Sequence, residues 1–204
     1  MLAVSILKNK IGTENAIKEI NKTSADFLHV DVLDKTYVDE VFNPLKEVEA
    51  STKPLNIHIM AEHQWFFVYK YSKLNPESII LQYELCEDVG FLLNHLRFRG
   101  IKCGLAIEPN TKISDIVKYI PLLDYVLILG VNPGKGGQEL QRKVLYKFDI
   151  LKRLKEEEGY GFKTIIDGGI NDKTINDVKA DIFVCGSFIT MSDNYQKQIE
   201  KLGL

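Results

Sequence analysis

Residues 27–34 read Phe27-Leu28-His29-Val30-Asp31-Val32-Leu33-Asp34, and this stretch decides the fold. Apolar and polar side chains alternate within it, which predicts a β-strand over residues 27–32 whose successive side chains point to opposite faces. One face carries His29 and Asp31, and the other is formed by Leu28, Val30 and Val32. We therefore expect the apolar face to pack against helices and the polar face to line an interior site.

Seven further apolar runs have the length of strands. They cover 2–6, 55–60, 78–81, 104–107, 125–129, 164–166 and 182–184, and helical spacing occurs between them, as in 64–74 and 144–154. Eight strands that alternate with helices imply parallel pairing through right-handed crossovers. The predicted fold is an α/β single-domain (β/α)8 TIM barrel over residues 1–204, and a doubly wound open sheet is the structural alternative.

Composition and charge argue against several functional classes of protein. The 26 Lys and Arg side chains nearly balance 28 Asp and Glu, so a formal net charge of −2 gives no attraction for a nucleic-acid backbone. No apolar run approaches the roughly 20 residues that cross a bilayer, and the brief apolar start lacks the layout of a signal peptide. The three cysteines, Cys86, Cys103 and Cys185, have neither metal-ribbon nor disulfide spacing. We expect a cytoplasmic protein that binds neither nucleic acid nor membrane.

Four polar residues on three of these strands form a candidate metal site. They are His29, Asp31, His58 and Asp167, each on a predicted inward face near the carboxyl end of a strand. Buried charges in a barrel mouth are costly unless a metal or a substrate satisfies them. Two imidazoles and two carboxylates suit one divalent cation, zinc first, with manganese, iron or cobalt as alternatives.

Glycine-rich stretches follow the last three predicted strands. Backbone N–H groups that glycine exposes can approach phosphate oxygens closely, and barrel enzymes favour the loops after their last two strands for this purpose. The stretches therefore predict a phosphorylated small molecule as substrate. Their residues are Gly134, Lys135, Gly136, Gly137, Gly168, Gly169, Gly186 and Ser187.

Five motifs, in order along the chain, resemble those of the ribulose-phosphate 3-epimerase family. They occupy 4–7, 25–34, 55–60, 131–138 and 166–170. The resemblance implies a (β/α)8 barrel and an isomerase that interconverts D-ribulose 5-phosphate and D-xylulose 5-phosphate through an enediolate. It also implies one divalent metal ion per subunit, a cytoplasmic location and a homo-oligomer.

The resemblance further implies roles for individual residues. His29, Asp31, His58 and Asp167 would be the metal ligands, and Asp31 and Asp167 would also act as the acid and the base on opposite faces of the substrate. The implied substrate contacts are Ser5, His58, Gly134, Lys135, Gly136, Gly137, Asp167, Gly168, Gly169, Gly186 and Ser187.

Three departures from the family pattern alter the rim of the predicted site. Lys35 replaces a glycine, and left-handed backbone at this position would cost about 1 kcal/mol. Gln82 stands where the strand often carries histidine, and Lys135 replaces an aromatic residue. The altered loop at Lys35 leaves open a related epimerase for a six-carbon substrate such as allulose 6-phosphate. A non-catalytic barrel that binds sugar phosphate is the other alternative.

Overall fold

The predicted strands form a closed barrel in the computed structural model of the chain, which describes residues 1–133 and 137–204. Within these ranges the strands are β1 (Leu2–Ser5), β2 (Phe27–Asp34), β3 (Val41–Phe42), β4 (Leu55–Met60), β5 (Ser78–Gln82), β6 (Lys102–Ile107), β7 (Tyr125–Leu129), β8 (Lys163–Asp167) and β9 (Ile182–Cys185). All except β3 pair in parallel, and β1 pairs with both β2 and β9. The ring of eight strands is therefore closed, which confirms the predicted barrel and excludes the open sheet.

Helices connect most of the strands along the outside of the barrel. In the described part of the chain they are α1 (Thr13–Asn21), α2 (Gln64–Tyr71), α3 (Val89–Phe98), α4 (Ile113–Ile116), α5 (Tyr146–Glu158), α6 (Ser187–Thr190) and α7 (Tyr195–Glu200). The helical spacing of 64–74 and 144–154 is confirmed by α2 and α5 with their adjoining 3₁₀ turns. Among the described residues, no helix combines the length and the apolar content needed to cross a bilayer.

Two connections contradict the expectation of a helix after every strand. Both are described throughout, and each holds a short 3₁₀ turn, Glu47–Ala50 between β2 and β4 and Ile175–Asp177 between β8 and β9. After β2 the chain first folds back as β3, which pairs antiparallel with the end of β2, so few residues remain before β4. After β8 the two-glycine turn at 168–169 occupies part of a short connection, so few residues remain for a helix before β9.

The alternation within each strand sorts side chains between two apolar layers, as predicted. Leu28, Val30 and Val32 of β2 belong to the large core between the barrel and its helices. Ile165 of β8 belongs instead to a smaller cluster inside the barrel, together with side chains such as Leu127 and Val184. His29 and Asp31 occupy the inward face of β2, so the same alternation that builds the core places polar groups in the barrel interior.

The backbone at Lys35 is left-handed, with φ of 78°. The condition under which lysine at this position carries a steric cost is therefore met. The Lys35 ammonium lies 3.4 Å from the Asp39 carboxylate, but both side chains are largely exposed, and such a pair adds little stability. The strain at Lys35 is therefore not offset by a strong contact.

Replacing Lys35 with glycine should raise the free energy of unfolding by about 1 kcal/mol, because glycine adopts positive φ without steric cost. Chemical denaturation of wild type and Lys35→Gly measures the difference. Lys35→Ala is the matched control, since it removes the ammonium but keeps the Cβ atom. If Lys35→Ala raised the free energy of unfolding as much as Lys35→Gly, backbone strain would not be the cause of the increase.

Candidate active site

Four side chains from three strands meet inside the barrel and are called here the His–Asp cluster: His29, Asp31, His58 and Asp167. One potential ligand atom of each lies within 4.8 Å of the others. Parallel pairing explains the convergence, because the register sets Asp31 of β2 opposite His58 of β4, while Asp167 is the last residue of β8. The structure thus brings together all four metal ligands predicted from the sequence.

The distances within the His–Asp cluster suit a single small cation. Nε2 of His29 lies 3.3 Å from an Asp31 oxygen and 3.8 Å from an Asp167 oxygen, and Nδ1 of His58 lies 3.6 and 3.9 Å from the same two oxygens. Ligands at about 2.1 Å from a tetrahedral ion are separated by about 3.4 Å. The four atoms are therefore spaced as ligands of one ion.

Two buried nitrogens give independent evidence that the cluster fits a metal. Nε2 of His29 and Nδ1 of His58 are buried and make no hydrogen bond with any residue that the structure describes. A buried polar atom without a partner is costly, and native proteins rarely leave one unsatisfied. Both nitrogens face the carboxylates, so a divalent cation between them would satisfy all four groups.

Buried amide groups orient both histidines. Nδ1 of His29 lies 2.6 Å from Oδ1 of Asn56, whose amide nitrogen donates to Oγ of Ser78 at 2.6 Å. Nε2 of His58 lies 2.8 Å from Oε1 of Gln82, whose amide nitrogen donates to the Glu84 carboxylate. In each case the amide oxygen faces the ring and accepts its N–H, which leaves the lone pair of the other ring nitrogen directed into the cluster.

The two carboxylates of the cluster have different electrostatic surroundings. Burial raises the pKa of Asp31, but the nearby His29 and His58 rings outweigh burial and hold that pKa below its usual range. Burial and the charge of Asp31 raise the pKa of Asp167 above its usual range. Ser5 donates a hydrogen bond of 2.8 Å to the second Asp31 oxygen, which further fixes this carboxylate. Environments that separate two carboxyl groups in this way are typical of acid–base pairs.

A cavity of about 380 Å³ opens above the cluster at the carboxyl ends of the strands. Asp31 and Asp167 line it, whereas His29 and His58 are fully buried beneath it. The predicted metal role of His58 fits this position, and its predicted contact with substrate stays a prediction. Met60 and Leu129 also line the cavity and form part of an apolar wall.

The glycine-rich turns also line the cavity, and their lining residues are called here the glycine rim: Gly137, Gly168, Gly169, Gly186 and Ser187. Gly168 and Gly169 have φ of 98° and 75°, and a Cβ atom on Gly169 would lie 2.4 Å from the backbone nitrogen of Leu140. Only glycine fits there. Gly134, Lys135 and Gly136, also predicted to bind substrate, lie outside the described residues.

Sequence reasoning missed the groups that orient the histidines. Asn56 shares the inward face of β4 with His58, and its position two residues earlier was the available signal. Nothing local distinguishes Ser78, because it reaches Asn56 through the pairing of β4 with β5. Glu84 lies two residues beyond Gln82, whose amide nitrogen donates to it. His63 and His95, which are not in the cluster, pair with the exposed Glu87 and pack against Trp65, respectively.

Comparison with known proteins identifies relatives over nearly the whole chain. A sequence profile of the ribulose-phosphate 3 epimerase family matches residues 1–190. The ribulose-phosphate 3-epimerase of Helicobacter pylori (strain J99) is 35% identical over 193 residues, 91% of this chain and 89% of the relative. That of Bacillus subtilis (strain 168) is 30% identical over 196 residues, 92% of this chain and 90% of the relative.

Solved structures show the same fold at much lower identity. A mutant tryptophan synthase α-subunit from Pyrococcus furiosus is similar with a TM-score of 0.70 at 13% identity, covering 100% of this chain and 97% of that one. This similarity supports the barrel and carries no information on activity.

Removing the amide that orients His58 should weaken metal binding. Gln82→Met keeps the side-chain volume but loses the acceptor for Nε2, so we expect the dissociation constant for Zn²⁺ or Co²⁺ to rise about 10- to 100-fold, measured by isothermal titration calorimetry. Gln64→Met is the matched control, because Gln64 is a buried amide that donates to the Gln82 backbone carbonyl and contacts neither histidine. Equal losses of affinity in both variants would contradict an orienting role for the Gln82 side chain.

Proposed function

The chain belongs to the ribulose-phosphate 3-epimerase family, and we propose that Asp31 and Asp167 are the two groups that exchange the proton on carbon 3 of its substrate. The protein is an epimerase, an isomerase that interconverts D-ribulose 5-phosphate and D-xylulose 5-phosphate. Its reaction inverts one carbon next to a ketone and requires no net oxidation or reduction.

One observation carries the assignment of roles. Two carboxylates, from β2 and β8, line the same cavity beside two histidine nitrogens that have no hydrogen-bond partner within residues 1–133 and 137–204. Inversion at carbon 3 requires that a proton leave one face of the carbon and that another arrive on the opposite face. Two carboxylates that reach the substrate from different strands meet this requirement.

The proposed proton transfers follow from the positions of these carboxylates. One carboxylate takes the proton from carbon 3, and the electron pair of the C–H bond moves into the enediolate of the substrate. The other carboxylic acid then gives a proton to the opposite face, which completes the inversion. In the reverse direction the two residues exchange roles, so each serves as acid and as base.

His29, Asp31, His58 and Asp167 would hold one divalent cation, for which we propose zinc. Two imidazole nitrogens and two carboxylate oxygens at tetrahedral spacing are a donor set that zinc favours, while iron, manganese and cobalt accept the same ligands. When bound, such an ion supplies Lewis-acid stabilisation of the negative charge that develops on the substrate oxygens. Asn56 and Gln82 keep the two rings in the orientation that directs a lone pair at that position.

We propose that the glycine rim binds the phosphate group. Gly168, Gly169, Gly186 and Ser187 line the cavity, and no Cβ atom covers the backbone at the three glycines. The amides of Ser187 and Phe188 precede the first hydrogen bonds of α6, in which Ile189 and Thr190 donate to Gly186. Ser5 would contact the sugar from β1, and Gly134, Lys135 and Gly136 stay predictions from the sequence.

Neither alternative function is favoured. The relatives described above are named ribulose-phosphate 3-epimerase, and all four residues of the His–Asp cluster are in place. A six-carbon substrate and a non-catalytic barrel therefore lack a supporting observation.

We also propose that residues 1–204 form one catalytic domain that acts in the cytoplasm as a homo-oligomer. Exposed aromatic side chains on α2 and α3, including Trp65, Phe66 and Phe91, provide an apolar surface for such assembly. Light scattering measures the number of subunits.

Transfer of solvent deuterium to carbon 3 of D-ribulose 5-phosphate, followed by NMR, tests the proposed function. Wild type with metal should incorporate deuterium and form xylulose 5-phosphate, and a chelator should stop both. Asp31→Asn and Asp167→Asn should each slow epimerisation by about 10²- to 10⁴-fold, the usual contribution of a general acid or base. Each variant should still exchange the proton of the one epimer that faces its remaining carboxylate.

Asp34→Asn is the matched control for these variants. Asp34 ends the same strand as Asp31, but its carboxylate accepts from the Thr36 and Glu62 backbone amides rather than from the cluster. Absence of exchange in folded, metal-containing wild type would reject the function. Loss of exchange with both epimers in both Asp variants, despite retained metal, would reject the two-carboxylate assignment.

A further inference from the structure

The cavity of the active site has an uneven charge distribution. Among the described residues that line it, Asp31 and Asp167 are acidic and Lys8 is the only cationic side chain. The charges of a divalent cation and the two carboxylates would cancel. A phosphate monoester carries a charge of about −1.5 to −2 at pH 7, so its charge still needs a positive partner.

The backbone of Lys8 is held beside the glycine rim. Lys8 follows β1, and its carbonyl accepts a hydrogen bond from the Thr190 hydroxyl. Thr190 is the last residue of α6, and the helix begins at Ser187, which is part of the glycine rim. The Lys10 N–H donates to the Thr190 carbonyl at 3.4 Å, so two contacts fix the segment after β1 against α6.

The Lys8 ammonium has a weak and replaceable partner. Its Nζ lies 3.5 Å from the Glu40 carboxylate, and the Lys8 and Glu40 side chains are 46% and 32% exposed. An ion pair that is this long and this exposed adds little stability. A phosphate oxygen accepts a shorter, charge-assisted hydrogen bond, and the flexible four-carbon stem lets the ammonium change partners.

We propose that Lys8 is a specificity-determining residue that pairs with the phosphate of the substrate and leaves Glu40 when the substrate binds. This inference rests on the proposed function, because it takes the glycine rim as the phosphate end of the cavity. Lys8 selects phosphorylated ketoses over the corresponding free sugars. Glu40 competes with the substrate for the same ammonium group.

The test compares Lys8→Gln with Lys10→Gln, which is the matched control. Both remove one positive charge from the same segment, but Lys10 pairs with Asp193 and does not line the cavity. KM and kcat for D-ribulose 5-phosphate are measured together with the dissociation constant of inorganic phosphate by calorimetry. Salt near 0.15 M screens long-range effects of charge beyond about 8 Å.

Lys8→Gln should raise both KM and the phosphate dissociation constant about three- to tenfold, the range for one partly exposed charge-assisted bond. The decrease in kcat/KM should come mostly from a higher KM and little from a lower kcat, because the phosphate is remote from carbon 3. Lys8→Arg should restore most of the affinity for phosphate. Glu40→Gln should lower KM. Lys10→Gln should leave KM and the phosphate dissociation constant near those of wild type.

Equal increases of KM and of the phosphate dissociation constant in Lys8→Gln and Lys10→Gln would show a general effect of surface charge and overturn the proposal. Unchanged phosphate affinity in Lys8→Gln would also overturn it, as would wild type that binds no inorganic phosphate. Wild type that binds phosphate but does not epimerise D-ribulose 5-phosphate would reject the proposed function instead. The phosphate titrations of the two variants would then still test the role of Lys8.

Discussion

The site depends on one constraint: two carboxylates are buried beside two histidine nitrogens that form no hydrogen bond in the described part of the chain. Asp31 is nearly inaccessible, and the side chain of Asp167 is only 17% exposed. Two anions held this close repel each other, which is the reason that Asp31 raises the pKa of Asp167. A divalent cation would relieve the repulsion and satisfy both nitrogens. The same two carboxylates line the cavity, so a cation held by them would also border the space proposed for the substrate.

The barrel provides this arrangement through strand register. The pairing of β2 with β4 sets His29 beside Asn56 and Asp31 beside His58, so one pair of strands supplies three of the four residues of the His–Asp cluster and one orienting amide. The pairing of β4 with β5 then brings Ser78 against Asn56, while Gln82 at the end of β5 reaches His58. A slip of one residue would turn these polar groups towards the helices. The apolar outer faces of the same strands prevent it, since they are buried in the core.

The sequence predicts the strands and the members of the His–Asp cluster well, and it predicts the connections poorly. Alternation in residues 27–34 locates both the inward His29 and Asp31 and the outward Leu28, because a single period governs both faces. Two connections show why: the chain folds back at Val41–Phe42, and a 3₁₀ turn replaces a helix at Ile175–Asp177. Both depend on the number of residues between two strands, which local propensity does not encode. Lys8 escaped prediction for another reason: its proposed role depends on contacts with Glu40 and Thr190, which are distant in the sequence.

The central claim is that the His–Asp cluster holds one divalent ion, and anomalous diffraction from crystals grown with Zn²⁺ or Co²⁺ tests it most directly. One peak is predicted about 2.0–2.2 Å from Nε2 of His29, Nδ1 of His58 and one oxygen each of Asp31 and Asp167. The amide hydrogen bonds of Asn56 and Gln82 should persist on the opposite ring nitrogens. Absence of a peak in the cluster, or an ion bound through Nδ1 of His29 or Nε2 of His58, would contradict the claim.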